Sequence, residues 1–133
     1  MTSKVTYLGD LRTSSIHLQS GTEIISDAPI DNNGKGEAFS PTDTVANALA
    51  SCMFTIMGIK ARDMQVDLAS STASVTKVMK AAPRMIAAIE IEFDMNVMVD
   101  DKTKTILERA AMTCPVFLSL HSDIEKKISF NWG

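Results

Sequence analysis

The segment Ser40-Pro41-Thr42-Asp43, followed by a long apolar-periodic run, constrains this chain more than any other feature. Ser40 has the side chain of an N-cap, and Pro41 has its φ preset for a first helical position. Asp43 stands three residues after the cap, as a shortened capping box. Apolar residues then recur at Val45, Ala48, Leu49, Cys52, Ile56 and Ile59. Spacings of three and four predict one continuous helical face, ended near Arg62-Asp63, with Cys52 pointing inward. A helix of about 20 residues with so wide an apolar face needs a surface to bury it.

Strands flank that helix. Lys4–Leu8, Thr13–Leu18 and Thr22–Ser26, separated by Gly9-Asp10 and Ser20-Gly21, predict an N-terminal meander. Residues 28–37, with Pro29 and Asp31-Asn32-Asn33-Gly34-Lys35-Gly36, are too rich in turn formers for regular structure. After the helix, 72–80 and 84–97 predict a hairpin turned at Ala81-Ala82-Pro83. Within it Ile89, Ile91, Phe93 and Met95 alternate with Glu90, Glu92 and Asp94, the pattern of a half-buried strand. Asp100-Asp101 opens a second helix to about Thr113, and Pro115 breaks or restarts it toward Leu120. A last strand runs from Ile124 to Trp132 with Ile128 and Phe130 on one face. The order βββ-α-ββ-α-β, with antiparallel hairpins, predicts an α+β fold in a single domain over 1–133. So few strands leave the long helix short of cover; a homodimer with helices sandwiched between sheets would supply it.

At 133 residues the chain can bury a core without disulfide staples. Its formal charge of -3 offers no basic stripe to displace counterions, and Lys126-Lys127 is too short to be one, so a nucleic-acid partner is excluded. The N-terminus has no apolar signal region, and apolar stretches such as 86–89 fall far short of a membrane span. No membrane partner and a cytoplasmic location are expected. In that reducing setting Cys52 and Cys114 are expected to be free, catalytic or metal-binding rather than a permanent staple. There is no Cys-x-x-Cys, and His17 and His121 lie near neither cysteine at a ligand-like spacing. No metal and no cofactor are expected. The nine methionines suit irregular core gaps, and Met53 and Met57 beside Cys52 read as core before pocket.

Taken as residues alone, the thiols are ambiguous. A cysteine on an apolar helix face is more often inert core than a nucleophile, because desolvation raises its pKa. Cys52 lies about three turns into its helix, too far from the N-terminus for the dipole to help much. A thiolate there needs a cation from elsewhere, with Arg12, Arg62, Arg84 and Arg109 as candidates. Cys114 closes the run Ala110-Ala111-Met112-Thr113-Cys114-Pro115-Val116. It is either a buried helix end or, if a helix restarts at Pro115, an N-cap where the dipole favours a thiolate.

Ser-Pro-Thr-Asp-x-x-x-x-Ala-Leu-Ala-Ser-Cys over 40–52, followed by Cys-Pro-Val at 114–116, resembles the OsmC/Ohr family, as does the layout of elements. The resemblance implies an OsmC-like fold in an intertwined homodimer, with active sites at the subunit interface. It also implies an antioxidant activity, the thiol-dependent reduction of organic hydroperoxides to alcohols under oxidative stress. Cys52 would attack the peroxide and become a sulfenic acid, Cys114 would condense with it into a disulfide, and a dithiol reductant would restore both. Arg12, in Tyr7-Leu8-Gly9-Asp10-Leu11-Arg12, matches the arginine that supports the family's thiolate. The peroxidase branches carry a glutamate directly after the helix-opening proline, where this chain has Thr42. Asp43, about 100° further round the helix, or Glu37 from the loop could hold Arg12 instead. Asp43 also reads as a capping residue, and Glu37 as solvated loop. Leu49, Met53 and Ile56 with loop Phe39 are expected to bind substrate and to favour organic over hydrogen peroxide. Two alternatives stand beside this: a non-enzymatic small-molecule-binding or redox-sensing protein on the same scaffold, and a dimer whose cysteines only pack.

Overall fold

Three short, polar-rich strands open the chain: β1 (Ser3–Gly9), β2 (Arg12–His17) and β3 (Glu23–Asp27). They pair antiparallel in the order β1-β2-β3, the meander that the two turn signals predict. The first turn needs a left-handed backbone, and Gly9, Asp10 and Leu11 all have positive φ there. β3 runs one residue further than predicted, to Asp27, whose partner across the register is Arg12. In the loop that follows, only a single 3-10 turn (Ile30–Asn32) is regular.

The computed structural model describes all residues from Met1 to Gly133, and the backbone falls into two units, Met1–Val45 and Ala46–Gly133. In the first unit the buried side chains are polar: Ser14, Asp27 and Ser40. Its larger apolar side chains, among them Val5, Tyr7, Ile24, Ile30 and Phe39, are exposed.

α1 (Pro41–Asp63) starts in the first unit and carries on into the second. Its start is a reciprocal capping box: the Asp43 N–H donates to Ser40 Oγ and the Ser40 N–H donates to Asp43 Oδ2, each at 3.0 Å. The buried stripe is Ala46, Leu49, Ala50, Met53, Met57 and Ala61. This differs from the expected stripe, of which only Leu49 is fully buried. Val45 and Ile59 are exposed, and Ala48, Cys52 and Ile56 are half-buried. The two stripes lie about one residue, or 100°, apart on the helix, and alanines and methionines make both of them apolar. The helix is also long and apolar enough to cross a membrane by length and composition, contrary to the expectation that no stretch is. Its buried stripe instead packs into the core of the second unit.

That core sits against a second sheet, β4 (Thr72–Lys80), β5 (Met85–Met95) and β6 (Glu125–Trp132), in the order β4-β5-β6. β4 and β5 form the expected antiparallel hairpin, with a cis Ala82–Pro83 bond in the turn. β6, however, runs parallel to β5. A parallel neighbour needs a long crossover, and α2 (Asp101–Ala111) with α3 (Pro115–Ser119) provides it. Asp100 caps α2 by accepting from the Thr103 N–H at 2.9 Å. The inward residues of β5, Ile89, Ile91, Phe93 and Met95, are buried, while Glu92 and Asp94 face out as the alternation predicts. Mixed α and β elements in this arrangement bear out the α+β reading.

Candidate functional site

The second unit brings the two cysteines together. Cys52 is half-buried on α1, and Cys114 is fully buried, as the N-cap of α3. Pro115 at the first helical position ends α2's run and restarts the chain as a helix, the second of the two outcomes its sequence allows. The Cys114 sulfur takes the place of a capping oxygen, accepting from the Phe117 N–H at 3.2 Å. Both cysteines are free thiols, and Cys52 is a near neighbour of Cys114, close enough to act on its titration. Burial pushes the Cys114 thiol above its ordinary value, and the neighbouring Cys52 adds to that rise. The Phe117 N–H pulls the other way without prevailing. The dipole benefit expected at this cap is therefore outweighed by desolvation; α3 is only five residues long.

In the first unit a guanidinium is held between two carboxylates. Arg12 Nε donates to Asp27 Oδ1 at 2.7 Å and Nη2 donates to Asp27 Oδ2 at 2.8 Å, a two-point fork. Nη2 also donates to Glu37 Oε2 at 3.0 Å, and the Glu37 N–H returns to Asp27 Oδ2 at 3.2 Å. The hydrogen bond from Arg12 holds the Asp27 carboxyl below its ordinary value of 3.8, against the opposing effect of burial. Arg12 in turn is raised, chiefly by Asp27 and then by Glu37.

A match to the OsmC-like protein family spans residues 34–129, from the loop that carries Glu37 almost to the end of β6. The chain belongs to the OsmC family. A Psychrobacter arcticus protein, described provisionally as an osmotic stress induced and detoxification response protein, is 60% identical to this OsmC-family chain. Their structures agree with a TM-score of 0.96 over 98% of this chain and 96% of the other. An organic hydroperoxide resistance protein of Legionella pneumophila shares the fold at 14% identity and a TM-score of 0.76, over 98% of this chain and 97% of its own. One from Elizabethkingia anophelis, with thiocyanate bound, does so at 13% identity and 0.76, over 100% of this chain and 97% of the other. Curated proteins offer no match.

The other site residues expected in this OsmC-family chain are distributed as follows. Leu49 and Met53 are fully buried in the core of the second unit, which is where the packing reading put the methionines. Ile56 is half-buried against that core, and Phe39 is exposed in the loop before α1. Glu37 does bond Arg12, whereas the Asp43 side chain is engaged in the helix cap. Asp27 was missed. It stood at the edge of a predicted loop, and the only signal for it was the strand register that sets it opposite Arg12. Two open cavities of the second unit, of about 340 and 470 Å³, are lined by neither cysteine. The first lies over the outer face of β4–β6, and the second lies at the end of α1 around Gly58 and Arg62. No group of three or more His, Cys, Asp or Glu side chains is placed to hold a metal ion.

The loop carrying Glu37 is itself tightly fitted. The Gly34 N–H donates to the Pro29 carbonyl at 2.9 Å and the Gly36 N–H to the Ala28 carbonyl at 3.2 Å. A methyl group on Gly34 would overlap the backbone carbonyl of Ala28. Backbone cannot yield as a flexible side chain would. Gly34→Ala is therefore expected to cost about 1–3 kcal/mol of stability, the usual range for overpacking, and to loosen the Glu37 contact. Urea denaturation of the variant beside wild type measures the cost, and a loss within error would mean the loop is not held this closely.

Proposed function

We propose that this chain is a thiol-dependent peroxidase that reduces organic hydroperoxides to alcohols, acting as a cytoplasmic homodimer. The observation that carries the reading is the meeting of Cys52 and Cys114 as free thiols, one half-buried and one fully buried. Unequal burial suits a division of labour. The Cys52 thiolate sulfur attacks a peroxide oxygen; an S–O bond forms as the O–O bond breaks, and the departing alkoxide takes up a proton as the alcohol. Cys52 is then a sulfenic acid. Burial keeps Cys114 protonated and unreactive toward peroxide until that moment. On losing its proton, the Cys114 sulfur attacks the Cys52 sulfur, forming the disulfide, and the hydroxyl leaves with that proton as water. A dithiol reductant exchanges with the disulfide, restores both thiols and departs oxidised.

In this reading Arg12 supports the Cys52 thiolate by charge, since a thiolate withdrawn from water is tolerable only beside a cation. Ile56 and Phe39, neither of them fully buried, give the substrate apolar contacts and favour organic hydroperoxides over hydrogen peroxide, with the fully buried Leu49 and Met53 acting only as packing in the core. The names of the Legionella and Elizabethkingia proteins that share the fold point the same way. The dimer is supported by the first unit, whose exposed apolar side chains and polar buried ones make it a sheet without a core of its own. A solution mass of twice the 14.4 kDa chain is expected, and a monomer at micromolar concentration would remove the dimer from the proposal.

The decisive experiment is consumption of cumene hydroperoxide with dihydrolipoamide as reductant, and, in parallel, titration of the free thiols of reduced protein from which the reductant has been removed. One equivalent of hydroperoxide should remove both thiols and yield the alcohol, and hydrogen peroxide should react more slowly. A thiol count that stays unchanged would sink the peroxidase and leave a non-enzymatic ligand-binding protein as the better reading.

A further inference from the structure

Arg12 is gripped by two carboxylates of the first unit, Asp27 and Glu37, while the carboxylate at the start of α1, Asp43, is engaged in the helix cap. We propose that Asp27, at the end of β3, is the positioning residue for Arg12, and that Glu37 is its weaker, solvent-side partner. The proposal deepens the peroxidase reading and rests on the role that reading gives Arg12.

Asp27 and Arg12 are directly opposed in the β2–β3 register, so their relative placement is set by backbone pairing rather than by flexible loop. Both carboxylate oxygens are used, one on Nε and one on Nη2, which fixes the plane of the guanidinium as well as its distance. The Asp27 side chain is 1% exposed, and the Glu37 N–H bonds it from the loop side. Glu37 contributes one bond, to Nη2, from a side chain that is 66% exposed. An ion pair so open to water is screened by salt and contributes little, whereas the buried fork is not screened in this way. The geometry also leaves Nη1 without a hydrogen bond or ion pair. Its two N–H groups are the part of Arg12 still able to serve an anion.

Alkylation of Cys52 by iodoacetamide near about pH 6.5, followed by peptide mass, reads thiolate support without requiring peroxidase turnover. Full-length wild type is compared with Asp27→Asn, Glu37→Gln, Arg12→Ala and the Arg12→Ala/Asp27→Asn double variant. Asp27→Asn is expected to slow alkylation by about tenfold, toward the Arg12→Ala rate, the effect of losing charge-assisted hydrogen bonds. Glu37→Gln should slow it less, and that smaller effect should shrink as salt is raised. In the Arg12→Ala background, Asp27→Asn should slow it no further, because Asp27 acts through Arg12.

An Asp27→Asn rate equal to wild type overturns the proposal. So does an equal slowing with and without Arg12, which marks a merely structural role. If wild type alkylates no faster than Arg12→Ala, Arg12 does not serve Cys52 and the proposal falls with that part of the peroxidase reading. Hydroperoxide consumption measured in parallel separates the two claims: no turnover together with Arg12- and Asp27-dependent alkylation removes the peroxidase and keeps the positioning. Should Asp27→Asn fail to fold by circular dichroism, Asp27→Glu serves in its place. It keeps the charge, displaces the fork by a methylene, and should slow alkylation only when Arg12 is present.

Discussion

Cys52→Ser is expected to lower hydroperoxide consumption to the uncatalysed background, a fall of about 10⁴-fold or more if it behaves as loss of a nucleophile does in other enzymes. A serine hydroxyl has no accessible anion near neutral pH, and it cannot be oxidised to a sulfenic acid and back. Cys114→Ser should behave differently. Its oxygen can accept the Phe117 N–H that the sulfur accepts now, so the cap of α3 and the fold are retained. The first equivalent of hydroperoxide should therefore be consumed at close to the wild-type rate. Cys52 then has no thiol with which to condense, and excess hydroperoxide should carry its sulfenic acid to the sulfinic acid. Activity should decay over successive turnovers, with a mass gain of two oxygens on the Cys52 peptide. Identical loss of the first turnover in both variants would mean that the roles of the two cysteines are not divided as proposed.

Phe93→Ala is expected to be the most damaging single change to the fold, at about 3–5 kcal/mol for a fully buried phenylalanine. Phe93 is 0% exposed, in the C-terminal half of the middle strand. Its ring centroid lies 4.9 Å from Phe54 edge-on and 4.9 Å from Phe130 in a stacked pair, so one ring ties α1 to β5 and β6. Phe130 continues the contact to Trp132 at 6.4 Å. Removing the ring loses the transfer energy and both aromatic pairings, and leaves a cavity that neighbours on two strands cannot collapse to fill. Against a whole-protein stability of about 5–15 kcal/mol, the variant should be partly unfolded at physiological temperature. Phe93→Leu, which keeps much of the volume, should cost clearly less. A loss below about 1 kcal/mol for the alanine variant in urea denaturation would show that this cluster does not organise the core.

Site features with local causes could be read from the residues in order. The reciprocal Ser40–Asp43 cap joins residues three positions apart, and its two hydrogen bonds are local. Cys114-Pro115 is likewise a neighbouring pair, although sequence alone left open whether the helix stopped or restarted there. By contrast, the partner of Arg12 was sought in the helix start and the loop, and the residue forming the fork, Asp27, is 15 positions away across a hairpin. A register error of one residue in β3 would turn it to the other face of the sheet, and composition does not set register that finely. The buried stripe of α1 was misplaced for a related reason. Alanine and methionine make several of its faces apolar, and the facing sheet selects among them.

By itself, then, the sequence determined the order and type of the elements, the alternation of β5, the helix caps and the two candidate thiols. Each follows from propensity, periodicity or hydrogen bonds between near neighbours. Only the tertiary structure decided that β6 lies parallel to β5, that Cys52 reaches Cys114, and that Asp27 rather than Asp43 grips Arg12. These are contacts between residues distant in sequence. Their free energy comes from burial and pairing that exist only once the chain has closed on itself.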